Sequence, residues 1–173
     1  MQAIISKTYD DFPEELLKAT RAKYGLRRVD RFISMAVAAV KDAVNVELEQ
    51  ETALVTVSAF GPHRTVFATL DDIIDFPEDQ ILPTKFSHSV HNAAASYIGT
   101  VLGIKGPAFA ITGFEEALQE GVSLAETLVA SGIAPNALLV EIEENGPLTD
   151  AAPRLYEEKF KNQIKEIVKV VLY

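Results

Sequence analysis

The stretch SVHNAAASYIGTVLGIKGPAFAIT, Ser89–Thr112, decides how this chain is read. Its first half is small and apolar and runs to a glycine. Its second half is a short uncharged run behind a Gly-Pro pair. Ser87 or Ser89 can accept a backbone N–H at a helix start, so a helix is expected over about 89–103, stopped by Gly103. The alanines let a neighbouring backbone approach closely, which places this helix centrally. The segment GPAFAIT, 106–112, is expected to be a strand, with Ala108 and Ala110 alternating against Phe109 and Ile111.

Working outward, the same alternation of strand and helix recurs. Residues 2–6 suggest a short strand, and DDFPEELLKA a helix start in which Asp11 can cap and Pro13 suits the first turn. Val29, Phe32, Ile33, Ala36, Val37, Val40 and Val44 recur at helical spacing, giving an amphipathic helix over about 29–45. TALVTVSAF, 52–60, is β-branched and closed by Gly61-Pro62, as a buried strand should be. A helix is expected over 64–74, then a two-proline loop through DFPEDQILPTKF. Beyond the quoted stretch, 114–132 has a helical stripe ended by Gly132, and ALLVEIEE, 137–144, is strand-like. GPLTDAAP is a loop. Tyr156, Phe160, Ile164, Ile167 and Val171 suggest a last helix, while EIVKVVLY also suits a strand; periodicity leaves both open. Buried strands alternating with helices specify an α/β domain with helices on both faces of its sheet.

Composition bounds the function. A chain of 173 residues, 48% hydrophobic and 24% charged, suits one domain with a sizeable core. There is no long apolar run for a membrane span, and no signal-peptide pattern at the start, so a cytoplasmic protein is expected. A net charge of −9 argues against nucleic acid. With no cysteine there is no disulfide, thiolate metal site or cysteine nucleophile. No cofactor motif stands out: there is no phosphate-binding loop and no Gly-x-Ser-x-Gly elbow. His88 and His91 lie at i, i+3, but a metal needs at least a third ligand and the one remaining histidine is His63. Hydrogen-bonded structural roles are expected for both histidines and for Asn92.

The segments YGLRRVDRFISMAVAAVKDAV, SAFGPHRTVFATL, LPTKFSHSVHNAAASYIGTVLGIKGPAFAIT and VASG…ALLVEIEE resemble, in that order, the N-terminal half of β-ketoacyl synthases. The similarity covers roughly 24–144 and is strongest to ketosynthase-like and chain-length-factor-like proteins. It implies a thiolase-like half, an αβαβα-type layered sheet, with 1–173 as one domain and 145–173 an extension packed on it. It also implies dimers and a pathway that condenses acyl groups carried on acyl carrier protein.

The departures from that pattern weigh equally. Counted without gaps between Gly106-Pro107 and Ser131-Gly132, the position of the family's nucleophilic cysteine is Glu115, which cannot hold an acyl thioester. The family's two histidines lie in a C-terminal half that this chain does not contain. The resemblance therefore implies a ketosynthase scaffold without its chemistry: a non-catalytic accessory protein in fatty-acid-like or polyketide-like biosynthesis. Two alternatives stay open. One is an unusual condensing or decarboxylating enzyme using His91, Asn92 or Glu115. The other is a binding module for acyl chains or carrier protein. The candidate remnant site is His88, His91, Asn92, Thr112 and Glu115, where Thr112 and Glu115 also have the spacing of a capping box. Arg27, Arg28 and Arg31, within a basic cluster that includes Arg21 and Lys23, are the candidate docking patch for an acidic carrier protein. The strand Ala108-Phe109-Ala110-Ile111 is expected to pair antiparallel with its copy in a homodimer, or with a ketosynthase partner, flanked by the helix from Ser89. The stripe Tyr156–Phe160–Ile164–Val168 is expected to cover the face that a missing half would leave open.

Overall fold

A computed structural model describes residues 2–114, 116–145 and 166–173. Its five strands are β1 (Ile5–Tyr9), β2 (Ala53–Ser58), β3 (Ala108–Thr112), β4 (Ala137–Glu143) and β5 (Ile167–Leu172). They form one mixed sheet in the order β1-β5-β4-β2-β3. β2 runs parallel to both β3 and β4, while β5 lies antiparallel between β4 and β1. The helices are α1 (Glu14–Lys23), α2 (Arg31–Ala43), α3 (His63–Asp75), α4 (Pro83–His88), α5 (Ala93–Leu102) and α6 (Ala117–Ala130).

The period-2 geometry of the strands divides the core in two. Leu54, Leu138, Val140, Ile142, Val168 and Val170 point to one face, where they pack with α2, α5 and Leu17 of α1. Ala53, Val55, Val57, Ala137 and Leu139 point to the other, under α6. Every residue of β2 is buried, as the apolar run predicts for a central strand covered on both sides. α2 buries Phe32, Ile33, Ser34, Met35, Ala36 and Val37 in succession, because it lies between the sheet and α1 and α5. α6 reaches the sheet at Gly121, where a Cβ would stand 2.6 Å from a methyl of Val57.

Several local expectations shift. The first strand is 5–9 rather than 2–6, drawn C-terminally by its pairing with β5. Pro13, not Asp11, occupies the N-cap of α1, with no side-chain cap. The expected loop 75–86 contains a 3-10 turn at Glu78–Gln80 and α4, whose first turn opens on Pro83. α4 takes up Ser87, and Ser89 is its C-cap. Their hydroxyls donate back to the carbonyls of Thr84 and Phe86 and cap nothing. α5 therefore starts at Ala93, and it ends as expected at Gly103, in the left-handed conformation. α6 begins at Ala117 with Glu116 at its N-cap, not at 114. Thr112 closes β3 instead of standing at the N-cap of α6, and Phe114 stacks edge-on against Phe60 at 5.6 Å; the other half of the expected capping box, Glu115, lies outside the described residues. The ambiguous C-terminal segment is a strand at 167–172, inside the sheet rather than over it. Val168 is buried there. Tyr156, Phe160, Ile164, Glu115 and the whole GPLTDAAP segment, 146–153, lie outside the described residues.

Candidate functional site

Parallel strands β2 and β4 end side by side, and the chain that leaves β2 is held by the carboxylates that end β4. The backbone N–H groups of Ala59 and Phe60 donate to Glu143, and that of Arg64 donates to Glu144 Oε1 at 3.0 Å. α3 has no side-chain cap of its own, so Glu144 supplies from a distant strand what a local Ser or Asp would supply. Within the turn, the Gly61 N–H donates to Ser58 Oγ at 2.7 Å. Gly61 has φ +61, and a Cβ there would meet the His91 ring at 2.6 Å. Only glycine fits both demands.

Burial sets the protonation of these acids. Desolvation pushes Glu143 up to about 7 against its backbone hydrogen bonds, and Glu144 up to about 8, helped by the nearby Asp30 charge. Asp30 is also raised by burial, although its carboxylate accepts from the Ile33 N–H at 2.9 Å and from Thr65 Oγ1 at 2.7 Å. Glu144 is 0% exposed, and its Oε2 has no hydrogen-bond partner among the described residues. It lines an open cavity of about 910 Å³ bounded also by Arg28, Asp30, Arg64, Leu82 and His88.

The structure separates the two histidines read together in the sequence. The buried His88 shares a hydrogen bond of 3.0 Å between Nε2 and the Tyr97 hydroxyl and packs edge-on to that ring. His91 packs against the Gly61 turn, and burial lowers its pKa. Asn92 is exposed at the N-cap of α5 and makes no side-chain cap; Thr112 is exposed at the end of β3. Among the described residues no three His, Cys, Asp or Glu side chains converge as a metal set. The acids that organise this end of the sheet, the buried Glu144 and the half-buried Asp30 and Glu143, carry no motif in the sequence. EIEE at the end of a strand looks like a solvated terminus, and only the fold turns it inward.

The basic cluster is also divided. Arg31 is tied to Glu166, with Nε at 3.0 Å from one oxygen and Nη2 at 2.8 Å from both, and it donates to the Phe12 carbonyl. Arg21 bonds Glu14 and Ser34. Arg27 and Arg28 are exposed, and Arg28 holds φ +61, a left-handed conformation uncommon for a side chain of its size.

The expected pairing strand lies at the edge. β3 has β2 on one side and, among the described residues, no strand on the other. The Leu54 N–H donates to the Pro107 carbonyl at 2.8 Å, and the Gly113 N–H to the Ser58 carbonyl at 3.4 Å. In a parallel ladder alternate residues serve the same neighbour. Residues 107, 109, 111 and 113 therefore bond β2, while Ala108, Ala110 and Thr112 aim their N–H and C=O groups outward. A groove of about 270 Å³ runs along this strand under α5, lined by Ala95, Ser96, Gly99 and Asn92.

Comparison with known proteins fits this arrangement. The model of the β-ketoacyl synthase N-terminal domain matches residues 22–163. No curated protein sequence matches the chain. Among solved structures it is similar to a ketosynthase in complex with its chain length factor from Xenorhabdus doucetiae, at 17% identity and TM-score 0.61, covering 94% of this chain and 60% of that one. It is similar to the ishigamide ketosynthase/chain length factor at 16% identity and TM-score 0.70, covering 90% and 47%. A type II PKS acyl-carrier protein in complex with its ketosynthase bound to the hexaketide matches at 14% identity and TM-score 0.73, covering 98% and 61%. The chain thus spans about half to three fifths of the length of these structures and shares their mixed α/β, thiolase-like fold. With the family model matched over most of its length, this chain belongs to the β-ketoacyl synthase N-terminal domain family.

Proposed function

We propose that this chain is a non-catalytic, chain-length-factor-like partner of a ketosynthase in polyketide-type or fatty-acid-type synthesis, working in the cytoplasm. The observation that carries the reading is the edge of β3. Three residues, Ala108, Ala110 and Thr112, offer outward backbone groups on an exposed, uncharged strand. Such an edge invites another strand, and a second thiolase-like chain satisfies it. The groove beneath α5, lined by small residues, leaves room for that partner's backbone. The absence of cysteine removes the family's nucleophile from this chain.

The test is assembly and chemistry together. Co-expressed with a ketosynthase, the wild-type chain should elute with it as a stable complex, and Ala110→Pro should lose the complex while staying folded. Proline there removes an outward donor and leaves the bonds to β2 intact. Light scattering on the chain alone distinguishes a homodimer built on the same strand. Intact mass after incubation with acyl thioesters should show no acyl adduct. A stable adduct on this chain refutes the non-catalytic role, and a complex undisturbed by Ala110→Pro refutes the interface.

Carrier-protein docking is a second reading, favoured by the exposure of Arg27 and Arg28. Arg31 contributes less than the sequence implies, because Glu166 neutralises it. Charge reversal at Arg27 and Arg28 should abolish any salt-sensitive binding to an acidic carrier protein.

A further inference from the structure

The cavity at the carboxyl end of β4 has features that the pairing reading does not use. Its floor is Glu144, fully buried, with Oε2 unpartnered among the described residues. An orphaned buried carboxyl oxygen is costly, by about 1–3 kcal/mol, unless something arrives to meet it. Its walls carry Arg28 and Arg64, neither of which has an ion-pair partner among the described residues. The other two cations of the cavity are already engaged, Arg31 with Glu166 and Lys85 with Asp72. Arg28 is held at its rim by a left-handed backbone, a conformation that costs about 1–3 kcal/mol and gathers at functional sites. Leu82 and Ala68 supply an apolar side.

We propose that this cavity binds a small molecule through an oxyanion, a phosphoryl or carboxylate group, gripped by Arg28 and Arg64 with the Glu144 carboxyl as a hydrogen-bond donor at its base. Two guanidinium groups with no ion-pair partner among the described residues give the site positive charge and the forked donors that suit an oxyanion. Asp30, whose carboxylate accepts from the Ile33 N–H and Thr65 Oγ1, adds a negative charge to the wall, which the guanidinium groups of Arg28 and Arg64 must outweigh. Glu144, kept protonated by burial, turns from a repelling charge into the donor that a buried oxyanion needs. The charged and titratable groups acting on it are Asp30 at the N-cap of α2, Arg31 of α2, and Arg64 and His63 of α3; His63 Nδ1 stands 3.8 Å from Glu144 Oε1. The ligand and the pairing strand occupy different parts of the molecule, so the site stands or falls independently of β3.

Calorimetric titration of the wild-type chain with inorganic phosphate, and separately with acetate, tests it. Saturable binding of at least one probe is expected. Arg28→Ala and Arg64→Ala should each weaken it about tenfold, while Lys7→Ala, on a distant surface, should not. Tighter binding of phosphate than acetate assigns a phosphoryl ligand, and the reverse a carboxylate. Binding should fade as pH rises past about 8. Glu144→Gln, which keeps a donor and cannot ionise, should retain binding at pH values above that. No saturable binding of either probe overturns the site. So does binding that both arginine variants leave unchanged while circular dichroism shows them folded. Wild-type binding that is equal on both sides of the Glu144 titration removes Glu144 from it.

Discussion

Replacing Gly106 by alanine should uncouple β3 from β2. A Cβ on Gly106 would stand 2.4 Å from the carbonyl oxygens of both Glu51 and Thr52. Non-bonded heavy atoms settle at about 3.5 Å, so roughly 1 Å of separation must be found. The obstacles are backbone atoms and cannot rotate away. Yielding draws apart three hydrogen bonds: Lys105 N–H to Gln50 O at 2.6 Å, Gly106 N–H to the same oxygen at 2.9 Å, and Leu54 N–H to Pro107 O at 2.8 Å. At about 1 kcal/mol each the loss is roughly 3 kcal/mol, offset by about 0.5–1 kcal/mol from the stiffer unfolded chain. The net, about 2 kcal/mol, lowers Tm by roughly 4–8 °C for a chain of this size. Gly99→Ala is the matched comparison. Gly99 lies in α5, with its nearest atom at an ordinary 3.7 Å, so alanine there should stabilise by up to about 1 kcal/mol. Urea denaturation of both variants gives the two signs directly. A Gly106→Ala midpoint at or above that of the wild type would refute the steric argument, and with it the close coupling of the edge strand to the sheet.

Glu166→Ala should destabilise by about 1–3 kcal/mol, because Arg31 loses its paired hydrogen bonds; a double-mutant cycle with Arg31→Ala isolates the pair. Thr112→Ala should change stability by less than about 0.5 kcal/mol, since the side chain is exposed and caps nothing; thermal melts check it. The raised acids make a pH signature. Glu143 and Glu144 keep their protons in the folded state up to about 7 and about 8, while the unfolded chain releases them near the ordinary 4.5. Their contribution is whole below about 4.5 and is lost as pH rises through 7 and 8. Glu144→Gln should therefore gain stability relative to wild type between pH 5 and 9, read as the difference in denaturation midpoints. A difference independent of pH would contradict a buried, protonated Glu144.

Much of the fold was legible in the sequence because it depends on local pattern. The spacing of Val29, Phe32, Ile33 and Val40 marks α2, and the β-branched run at 53–58 marks β2. Gly103 stops α5 where its freedom at positive φ is needed. What failed was contingent on distant partners. Ser87 and Ser89 have the chemistry of caps, but Pro83 starts a helix earlier and absorbs them. IVKVVL has apolar residues at both helical and strand spacings, and pairing with β1 and β4 decides between them. The site was the least legible part. Glu144, just past β4, and Asp30, at the N-cap of α2, come together across the fold, Glu143 turns onto the Ala59–Phe60 backbone, and nothing near them in the chain announces acids drawn inward. Arg31 looked like an exposed docking charge because Glu166, its partner, lies at the far end of the sequence.

The position of β5 has a consequence for how the molecule is made. β1 touches the sheet only through β5, and Ile5 pairs with Leu172, across almost the whole length of the chain. Of the five strands, β1 is made before the others and is the last to find its neighbour. β2, β3 and β4 can assemble around α2 and α6 while β1 waits and one side of β4 stands open. Such long-range closure is slow, and the waiting edges are points of misassociation for a nascent chain. The two outer strands are unequal as a result. Trimming β1, mostly exposed and joined on one side, removes a late addition, whereas losing the buried β5 strips β1 and β4 together. Residues 166–173 thus join the two ends of the sheet: without β5, neither β1 nor the outer side of β4 has a strand to pair with among the described residues.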